Sequence, residues 1–526
     1  MKRGLAAGLA LLAGVAAAQE DLGALGAPPN PKVEIRWNRF YDTEELGALM
    51  EKLEAAFPGL AKVSTLGKSV GGRPIRCLEI TNAAKGDPAR KTGFYIDGNI
   101  HGNEVQGAEA ALYTAWYLLE NYGRVAKITA LVDERVFYIV PTINPDGRDT
   151  FLLKPSNAHS LRGGLDPWDN DGDGRFDEDG FDDLDGDGQI VQMRRRNPHG
   201  RWKPHPKDAR ALTRCEPDED GGWDMLGQEG LDNDGDGDVN EDGPGGYDPN
   251  RNWPTDWQPP YVQHGAHHYP FSLPETRAIG DFWMAHANIA GAQSYHNAGG
   301  MILRSPGQQG GNVHGADSGL YDAIGKKGEQ MLPGYRYMII WKDLYTVWGG
   351  EVDWFYFGRG VLTFTNELWS EGNMFRGPTP GWGEPGFDET ADHKFDDLLL
   401  LTDALVDWNP YKHPVYGDIE IGGFKKNFGR TPPSFLLEEE CHRNMAFTLY
   451  HADQMPKVSL DEPEVRPLGD GLFAVRVTAR NARMIPTRLG QDVQAKITRL
   501  DEFTLSGDAV AVLSAGIVRD RDFNQV

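Results

Sequence analysis

The sequence predicts an α/β fold in which helices cover both faces of a mixed, mostly parallel sheet. Between about residues 31 and 145, apolar runs of strand length alternate with a long amphipathic helical pattern. The alternation resumes after residue 247, beyond a stretch dominated by Asp, Gly and Asn. Alternating strands and helices are typical of a sheet sandwiched between helical layers. In such sheets, ligands bind at the carboxyl ends of the strands.

The individual elements follow from their local patterns. RPIRCLEIT and KTGFYIDGNI predict strands, and GAEAALYTAWYLLENY predicts the helix after them. RVFYIVPTINPDG predicts a buried strand that ends in a turn. Beyond the acidic stretch, PETRAIGDFWMAHA predicts a helix, IAGAQSYHN and VLTFTNELW predict strands, and LLEEECHRNMAFTLYHA predicts a last helix.

The chain of 526 residues is long enough for one large and one small domain. Residues 1–18 have a basic start, an apolar stretch and a small-residue site, which predicts a signal peptide and a secreted or periplasmic protein. No later apolar run is long enough for a membrane span. We expect a main domain at 30–455 with an insertion at 155–247. Residues 456–526 should form a small β-rich domain, with strands in GLFAVRVTARN and DAVAVLSAGIV.

Composition excludes some functions. A formal net charge of -25 argues against a nucleic-acid partner, because phosphate contacts need clustered Lys and Arg. Three widely spaced cysteines allow at most one disulfide and make a thiolate metal site an unfavoured interpretation. We expect a monomer.

Candidate metal ligands occur in GNIHGNEVQG, where His101 and Glu104 follow an apolar strand. One interpretation is an ordinary loop with a solvated histidine and a helix-capping glutamate. The other is half of a zinc site, which needs a third ligand such as His296 in SYHN. Glu367 lies inside the apolar run TFTNELW, where a carboxylate is costly unless it is paired, bound to metal or catalytic.

Six motifs occur in one order: HGNE, NPDG, NRNW, SYHN, YTVWGGEVDW and FTNEL. In this order they resemble the zinc carboxypeptidases of the carboxypeptidase A type, over about residues 35–410 without the insertion, and indicate a bacterial, secreted member. The resemblance implies a secreted zinc-dependent enzyme that hydrolyses the C-terminal bond of peptides or proteins.

The resemblance also implies roles for single residues. His101, Glu104 and His296 would hold zinc, and Glu367 would be the general base for a zinc-activated water. The other implied roles concern the substrate: Asn250 and Arg251 would bind its terminal carboxylate, and Tyr345 would close over it.

The resemblance further implies an arginine that stabilises the oxyanion. QMRRRNPHG offers Arg194, Arg195 and Arg196, of which we favour Arg194. Val352 aligns with the position that faces the last side chain of the substrate, and it is not acidic, which favours neutral or apolar C-terminal residues. Glu351 beside it could face either way.

The insertion repeats a calcium-loop pattern three times, with oxygen ligands at positions 1, 3 and 5 and Gly at position 6. The predicted calcium ligands are Asp169, Asp171, Asp173, Asp183, Asp185, Asp187, Asp232, Asp234 and Asp236. Position 12 lacks the usual Glu and holds Gly180, Arg194 or Gly243 instead. The alternative interpretation is a solvated acidic loop.

Two other functions remain open at this point. One is a catalytically silent, calcium-stabilised surface protein that binds peptide or cell-wall ends, for which a base at Glu367 would be unnecessary. The other is a peptidase that acts on peptidoglycan stem peptides, which also end in carboxylates.

Overall fold

A computed structural model describes residues 25–28, 30–159, 161–170, 172–370, 375 and 390–517. The predicted signal peptide at 1–18 therefore lies outside the described residues. The strands, in chain order, are β1 (Ala61–Lys68), β2 (Pro74–Ile80), β3 (Thr92–Gly98), β4 (Arg135–Val140), β5 (Gln192–Asn197), β6 (Trp202–Pro204), β7 (Leu212–Arg214), β8 (Gly222–Gln228), β9 (Ile289–Asn297), β10 (Met301–Arg304), β11 (Arg336–Ile339), β12 (Leu362–Leu368), β13 (Leu405–His413), β14 (Gly417–Phe424), β15 (Val458–Leu460), β16 (Glu464–Gly469), β17 (Leu472–Arg476) and β18 (Ala479–Asn481).

The α-helices are α1 (Thr43–Ala56), α2 (Gln106–Asn121), α3 (Ala126–Glu134), α4 (Pro145–Leu153), α5 (Pro274–Ala285), α6 (Gly315–Glu329), α7 (Glu351–Asp353), α8 (Ala391–Phe395), α9 (Ser434–Asp453) and α10 (Gly490–Ala495). Among the described helices, none is both long and apolar enough to cross a bilayer.

A mixed eight-stranded sheet, in the order β1-β2-β4-β3-β9-β12-β10-β11, forms the centre of the fold. Its middle strands β4, β3, β9 and β12 are parallel. At either side of them, β2 pairs antiparallel with β4, and β10 pairs antiparallel with β12. This arrangement confirms the predicted α/β class and the predicted elements of the main domain. The parallel middle strands also place their carboxyl ends at one edge.

Both faces of the sheet are buried, which explains why its strands are continuous apolar runs. On β3, Phe94 and Ile96 belong to the core under α2 and α9, whereas Tyr95 belongs to the core under α5. Successive side chains of a strand point to opposite faces, so each layer of helices receives its own apolar surface.

The acidic insertion contains regular secondary structure. It contributes β5 to β8 to a second sheet, ordered β13-β14-β5-β8-β6-β7, whose other two strands come from beyond residue 404. A small core joins Val191 and Met193 of the insertion to Ile419 and Ile421 of β14. The insertion therefore packs part of its apolar surface against a distant segment.

The C-terminal region is less regular than predicted. β15 pairs with β18, and β16 with β17, as two small antiparallel sheets. The predicted strand in DAVAVLSAGIV is wrong for residues 508–517, which form no strand and are exposed. An apolar alternation forms a strand only where another strand pairs with it. Ile485 and Leu489, in contrast, are buried in the core of the main domain.

Glu275, near the start of α5, is a buried acid whose effect on stability depends on pH. Its side chain accepts a hydrogen bond of 2.9 Å from the Val70 N–H. Burial raises the pKa of Glu275 from its ordinary 4.5 to about 7. The folded chain thus holds this proton more tightly than the unfolded chain, so stability falls as pH rises through this interval.

We expect Glu275→Gln to remove this part of the pH dependence. Between about pH 5 and about pH 8, this group should lower the free energy of unfolding of the wild type by about 2–3 kcal/mol. The variant should lack this contribution. Urea denaturation at both pH values measures this, with Asp281→Asn on the exposed side of α5 as the control. An unchanged pH dependence in Glu275→Gln would contradict the assignment.

Candidate active site

The stretch GNIHGNEVQG carries the chain from β3 to α2 through a very close backbone crossing. A Cβ on Gly98 would lie 2.5 Å from the backbone of Gly107, and a Cβ on Gly107 would lie 2.8 Å from the Tyr295 carbonyl. Only glycine fits such approaches. The two glycines thus let this loop lie against β9, which brings His101 and Glu104 next to His296.

His101, Glu104 and His296 converge, although His101 and His296 are 195 positions apart. Each imidazole Nδ1 lies 2.9 Å from an oxygen of Glu104, and the two Nδ1 atoms are 3.2 Å apart. All three side chains are about 97% buried. Ligand atoms that share one tetrahedral zinc lie roughly 3.4 Å apart, since zinc bonds to N and O are about 2.0–2.2 Å long. This triad therefore fits one small divalent cation.

The outward nitrogens of both imidazoles face carboxylates. His101 Nε2 lies 3.0 Å from Asp248 Oδ1, and His296 Nε2 lies 3.1 Å from Glu351 Oε1. A carboxylate that accepts the Nε2–H leaves the Nδ1 lone pair free to bind metal. Sequence reasoning missed Asp248, although it lies two positions before Asn250. It left Glu351 open, and the structure shows that the side chain of Glu351 faces inward.

Electrostatics in this cluster match a cation site. Burial opposes ionisation of Glu104, but His101 and His296 hold its pKa well below its usual range. Burial and the nearby charge of Glu104 raise the pKa of Glu367 to about 7. A cation bound between the imidazoles would favour the ionised form of both carboxylates.

Glu367 reaches the triad through strand register. β12 and β9 are parallel neighbours in which Glu367 is paired with His296. Both side chains line one pocket. The carboxylate in an apolar run is thus explained by its place at the sheet edge where the ligands collect.

The predicted substrate-binding residues line the same pocket as His101, His296 and Glu367. They are Asn250, Arg251, Tyr345 and Val352. The pocket is otherwise lined by Leu303, Gly307, Ile340, Leu344, Val347, Gly350, Asp353 and Thr365. Tyr345 is 49% exposed and lies at the mouth, whereas Val352 is 4% exposed and lies deep. Apolar side chains therefore form most of the inner wall.

Arg251 is a buried cation with spare hydrogen-bonding capacity. Its Nη1 donates to the Asn250 carbonyl over 2.8 Å and lies 3.7 Å from Asp248 Oδ2. In the described part of the chain, its Nε has no hydrogen-bond partner. An incoming carboxylate would accept such a hydrogen bond and neutralise the charge.

The structure does not bring Arg194, the predicted oxyanion arginine, to the pocket. Arg194 lies on β5 in the second sheet, where it pairs with Glu420 at 2.6 Å between the rings of Trp223 and Trp408. Its two neighbours are also engaged in that sheet, since Arg195 pairs with an aspartate of β8 and Arg196 packs on Trp223. The RRR run supports the insertion and does not line the pocket.

Arg162 is the arginine that lies at the metal ligands. Its Nε donates to Asp248 Oδ2 over 3.1 Å, and its Nη2 lies 3.0 Å from His101 Nε2. It lies near the start of the insertion, before the first acidic loop, whereas the predicted Arg194 follows two of the three acidic loops. No local signal in the sequence reveals it, because contacts between distant parts of the chain, such as the hydrogen bond from Gly163 N–H to the Gly245 carbonyl, bring this segment to the site.

The three acidic loops share a backbone conformation. In each, the first aspartate accepts the N–H of the glycine three positions later, over 2.6–2.9 Å. In the third loop, Asp232, Asp234 and Asp236 lie together as predicted. In the first loop Asp171 lies outside the described residues, while Asp169 and Asp173 are described.

Two acids that sequence reasoning did not assign join these loops. Glu229, directly after β8, gathers with Asp183 and Asp185, and Glu241 gathers with Asp179 and Asp234. Among the described residues, both carboxylate oxygens of Glu241 are buried without a hydrogen-bond partner. Burial, opposed by backbone hydrogen bonds, raises the pKa of Glu229 and of Glu241 to about 7.

In the second loop, the structure does not place Asp187 with the other predicted calcium ligands. Asp187 does not gather with the other carboxylates of its loop and accepts the Gln189 N–H over 2.7 Å. Its predicted place is taken by Glu229, because β8 pairs with β5 and thereby brings residue 229 to this loop.

Known proteins resemble parts of this chain. Carboxypeptidase D of Drosophila melanogaster is 38% identical over 118 residues, which are 22% of this chain and 8% of that protein. The inactive metallocarboxypeptidase ECM14 of Saccharomyces cerevisiae is 32% identical over 112 residues, or 21% of this chain and 26% of that protein. The chain thus spans only a small part of these relatives.

Solved structures show more extended but weaker likeness. The carboxypeptidase A of Helicoverpa armigera aligns with 80% of this chain and 75% of its own, at 18% identity and a TM-score of 0.46. Thrombin activatable fibrinolysis inhibitor aligns with 79% and 74%, at 16% identity and a TM-score of 0.48.

Family profiles match two regions. Residues 457–525 match a domain of unknown function. Residues 46–381, more than half of the chain, match the family described as zinc carboxypeptidase. The chain therefore belongs to the zinc carboxypeptidase family.

Proposed function

We propose that this chain is an exported zinc carboxypeptidase that removes the C-terminal residue of peptides or proteins. The observation that carries the proposal is one pocket lined by both histidines of the triad, the buried acid Glu367 and the buried cation Arg251. Export rests on the sequence of residues 1–18 alone.

The chemistry divides between a metal and three side chains. When bound by His101, Glu104 and His296, zinc would polarise the scissile carbonyl and lower the pKa of water. Glu367 takes the proton of the attacking water and passes it to the leaving amine. Arg162 places a positive charge where the oxyanion develops, which favours the transition state over the ground state.

Arg251 and Asn250 restrict cleavage to the end of the chain. A guanidinium binds a carboxylate through paired, charge-assisted hydrogen bonds. Glu351 N–H donates to Asn250 Oδ1 over 2.8 Å, so the amide nitrogen of Asn250, which lies 3.5 Å from His296 Nε2, is the group that would donate to a ligand. A substrate without a terminal carboxylate would leave the buried Arg251 Nε without an acceptor among the described residues.

The pocket wall favours an apolar last residue. Leu303, Ile340 and Val352 pack together as one apolar cluster, and Val352 stands where an acid would select basic residues. The acid nearby, Asp353, accepts the Gly307 N–H over 2.9 Å and is 4% exposed.

The proposal predicts that zinc-loaded protein cleaves N-blocked dipeptides ending in Leu or Phe, but not their C-terminal amides. Glu367→Gln should keep its zinc and lose about 10²–10⁴-fold in kcat, the usual contribution of a general base. Metal analysis and initial rates measure both properties.

The same assays distinguish the proposed carboxypeptidase from a silent binding protein and from a peptidoglycan peptidase. Zinc-loaded wild type that binds these dipeptides without cleaving them would indicate a silent binding protein. Cleavage of purified muropeptides alone would indicate a peptidoglycan peptidase. Full activity in Glu367→Gln would refute the assigned base.

Arg162 and Arg194 provide a second test, since only Arg162 lies at the metal ligands. We expect Arg162→Ala to reduce kcat by about 10²–10³-fold, as removal of an oxyanion donor does. Arg194→Ala should leave kcat within a few-fold, although the second sheet loses an ion pair. Thermal unfolding of both variants shows whether they are folded. The opposite order of effects would restore the arginine predicted from the sequence.

We also propose that the insertion binds structural calcium. Its ligands would be the loop aspartates together with Glu229, Glu241 and Asp179, which add carboxylates to the second and third loops, where position 12 lacks one. So many close carboxylates repel one another without a cation. Because the three acidic loops lie between Arg162 and Asp248 in the chain, calcium would also stabilise the placement of both residues.

Calcium should raise the thermal unfolding midpoint by a few degrees at about 100 times its Kd. Glu241→Gln should reduce this shift, whereas Asp224→Asn, an acid of β8 outside the clusters, should not. Scanning calorimetry with and without a calcium-selective chelator measures the shift. A midpoint that does not respond to calcium would show that the insertion is a solvated acidic loop.

A further inference from the structure

Glu351 is the acid whose orientation the sequence left open, and its surroundings are unusual. Its side chain is 0% exposed. Its Oε1 lies 3.1 Å from His296 Nε2 and also accepts the Ser294 hydroxyl. Its backbone N–H donates to Asn250 Oδ1 over 2.8 Å. One residue therefore contacts both a proposed metal ligand and a proposed substrate-binding residue.

A fully buried carboxylate is costly unless a specific partner compensates it. Across the described ranges, the ion pair of Glu351 is with His296, and no Lys or Arg lies within pairing distance. Its Oε2 has no hydrogen-bond partner in that part of the chain. The side chain thus has one charged partner, and that partner is the imidazole.

The other imidazole is held differently. Asp248 contacts His101, but it also pairs with Arg162 and lies 3.7 Å from Arg251. Its charge is shared among three groups. Among the described residues, the ion pair of Glu351 is with His296 alone, so its charge should affect the metal more directly.

We propose that Glu351 is a positioning residue that orients His296 for zinc and increases the affinity of the site for the metal. This inference rests on the proposed zinc site. By accepting the Nε2–H, the carboxylate selects the tautomer whose Nδ1 lone pair points to Glu104 and His101. Ser294 fixes the same oxygen and thus limits rotation of the carboxylate.

The two halves of Glu351 act on different groups. The side chain holds the zinc ligand, while the backbone N–H holds Asn250. A change of the side chain should therefore weaken metal binding and leave KM nearly unchanged in the zinc-saturated protein. A residue that merely fills space would not separate these two effects.

The test is the zinc Kd, measured by competition with a chromogenic chelator. Loss of a carboxylate behind a histidine ligand typically weakens metal binding 10–100-fold. We expect a loss in this range for Glu351→Ala and a smaller one for Glu351→Gln, which keeps the volume and an acceptor oxygen. The Co²⁺-substituted variants should also show shifted visible absorption bands, because the imidazole geometry changes.

Glu275→Gln is the matched control, since it neutralises another buried acid that lies outside the pocket lining. Its zinc Kd and Co²⁺ spectrum should equal those of the wild type. Equal zinc Kd values in wild type and both Glu351 variants would overturn the inference. Failure of the wild type itself to bind zinc would instead refute the proposed function.

Discussion

The structure depends on three polar side chains that share one buried position at the edge of a parallel sheet. Two imidazoles and a carboxylate within 2.9–3.2 Å of one another are unfavourable in an apolar interior unless they bind a cation or share protons. The fold supplies them from the loop after β3 and from the end of β9. Neighbouring β12 adds Glu367 to the same edge. The proposed reaction therefore takes place at the carboxyl ends of the parallel strands.

The insertion is the second feature on which the proposed site depends, because residues of the site lie at or beside its two ends. Arg162 lies near its start, and Asp248, Asn250 and Arg251 follow it, so the placement of these residues depends on how the two ends of the insertion meet. The Gly163–Gly245 contact closes those ends, and β5 anchors the insertion to β14. A disordered insertion would leave the triad intact but would free the arginines.

Local patterns predicted the main sheet, and the ordered motifs predicted that His101, Glu104, His296 and Glu367 come together, because each lies on or beside a regular apolar strand. They failed where contacts are distant in sequence. Nothing local in QMRRRNPHG shows that Arg194 faces Glu420, more than two hundred positions away, and nothing in LRGGLDPW shows that Arg162 reaches His101. Glu229 and Glu241 join the acidic loops only because β8 pairs with β5 and the loops fold together. The strand predicted at 508–517 is absent because, in the described part of the chain, no strand pairs with this segment.

The central claim is that His101, Glu104 and His296 bind a single zinc ion. Anomalous diffraction at the zinc edge tests it most directly. The account predicts one strong peak, about 2.0–2.2 Å from both Nδ1 atoms and from a Glu104 oxygen. A zinc-loaded crystal whose peak lies elsewhere, or a triad that keeps its mutual hydrogen bonds with no metal between them, would contradict it.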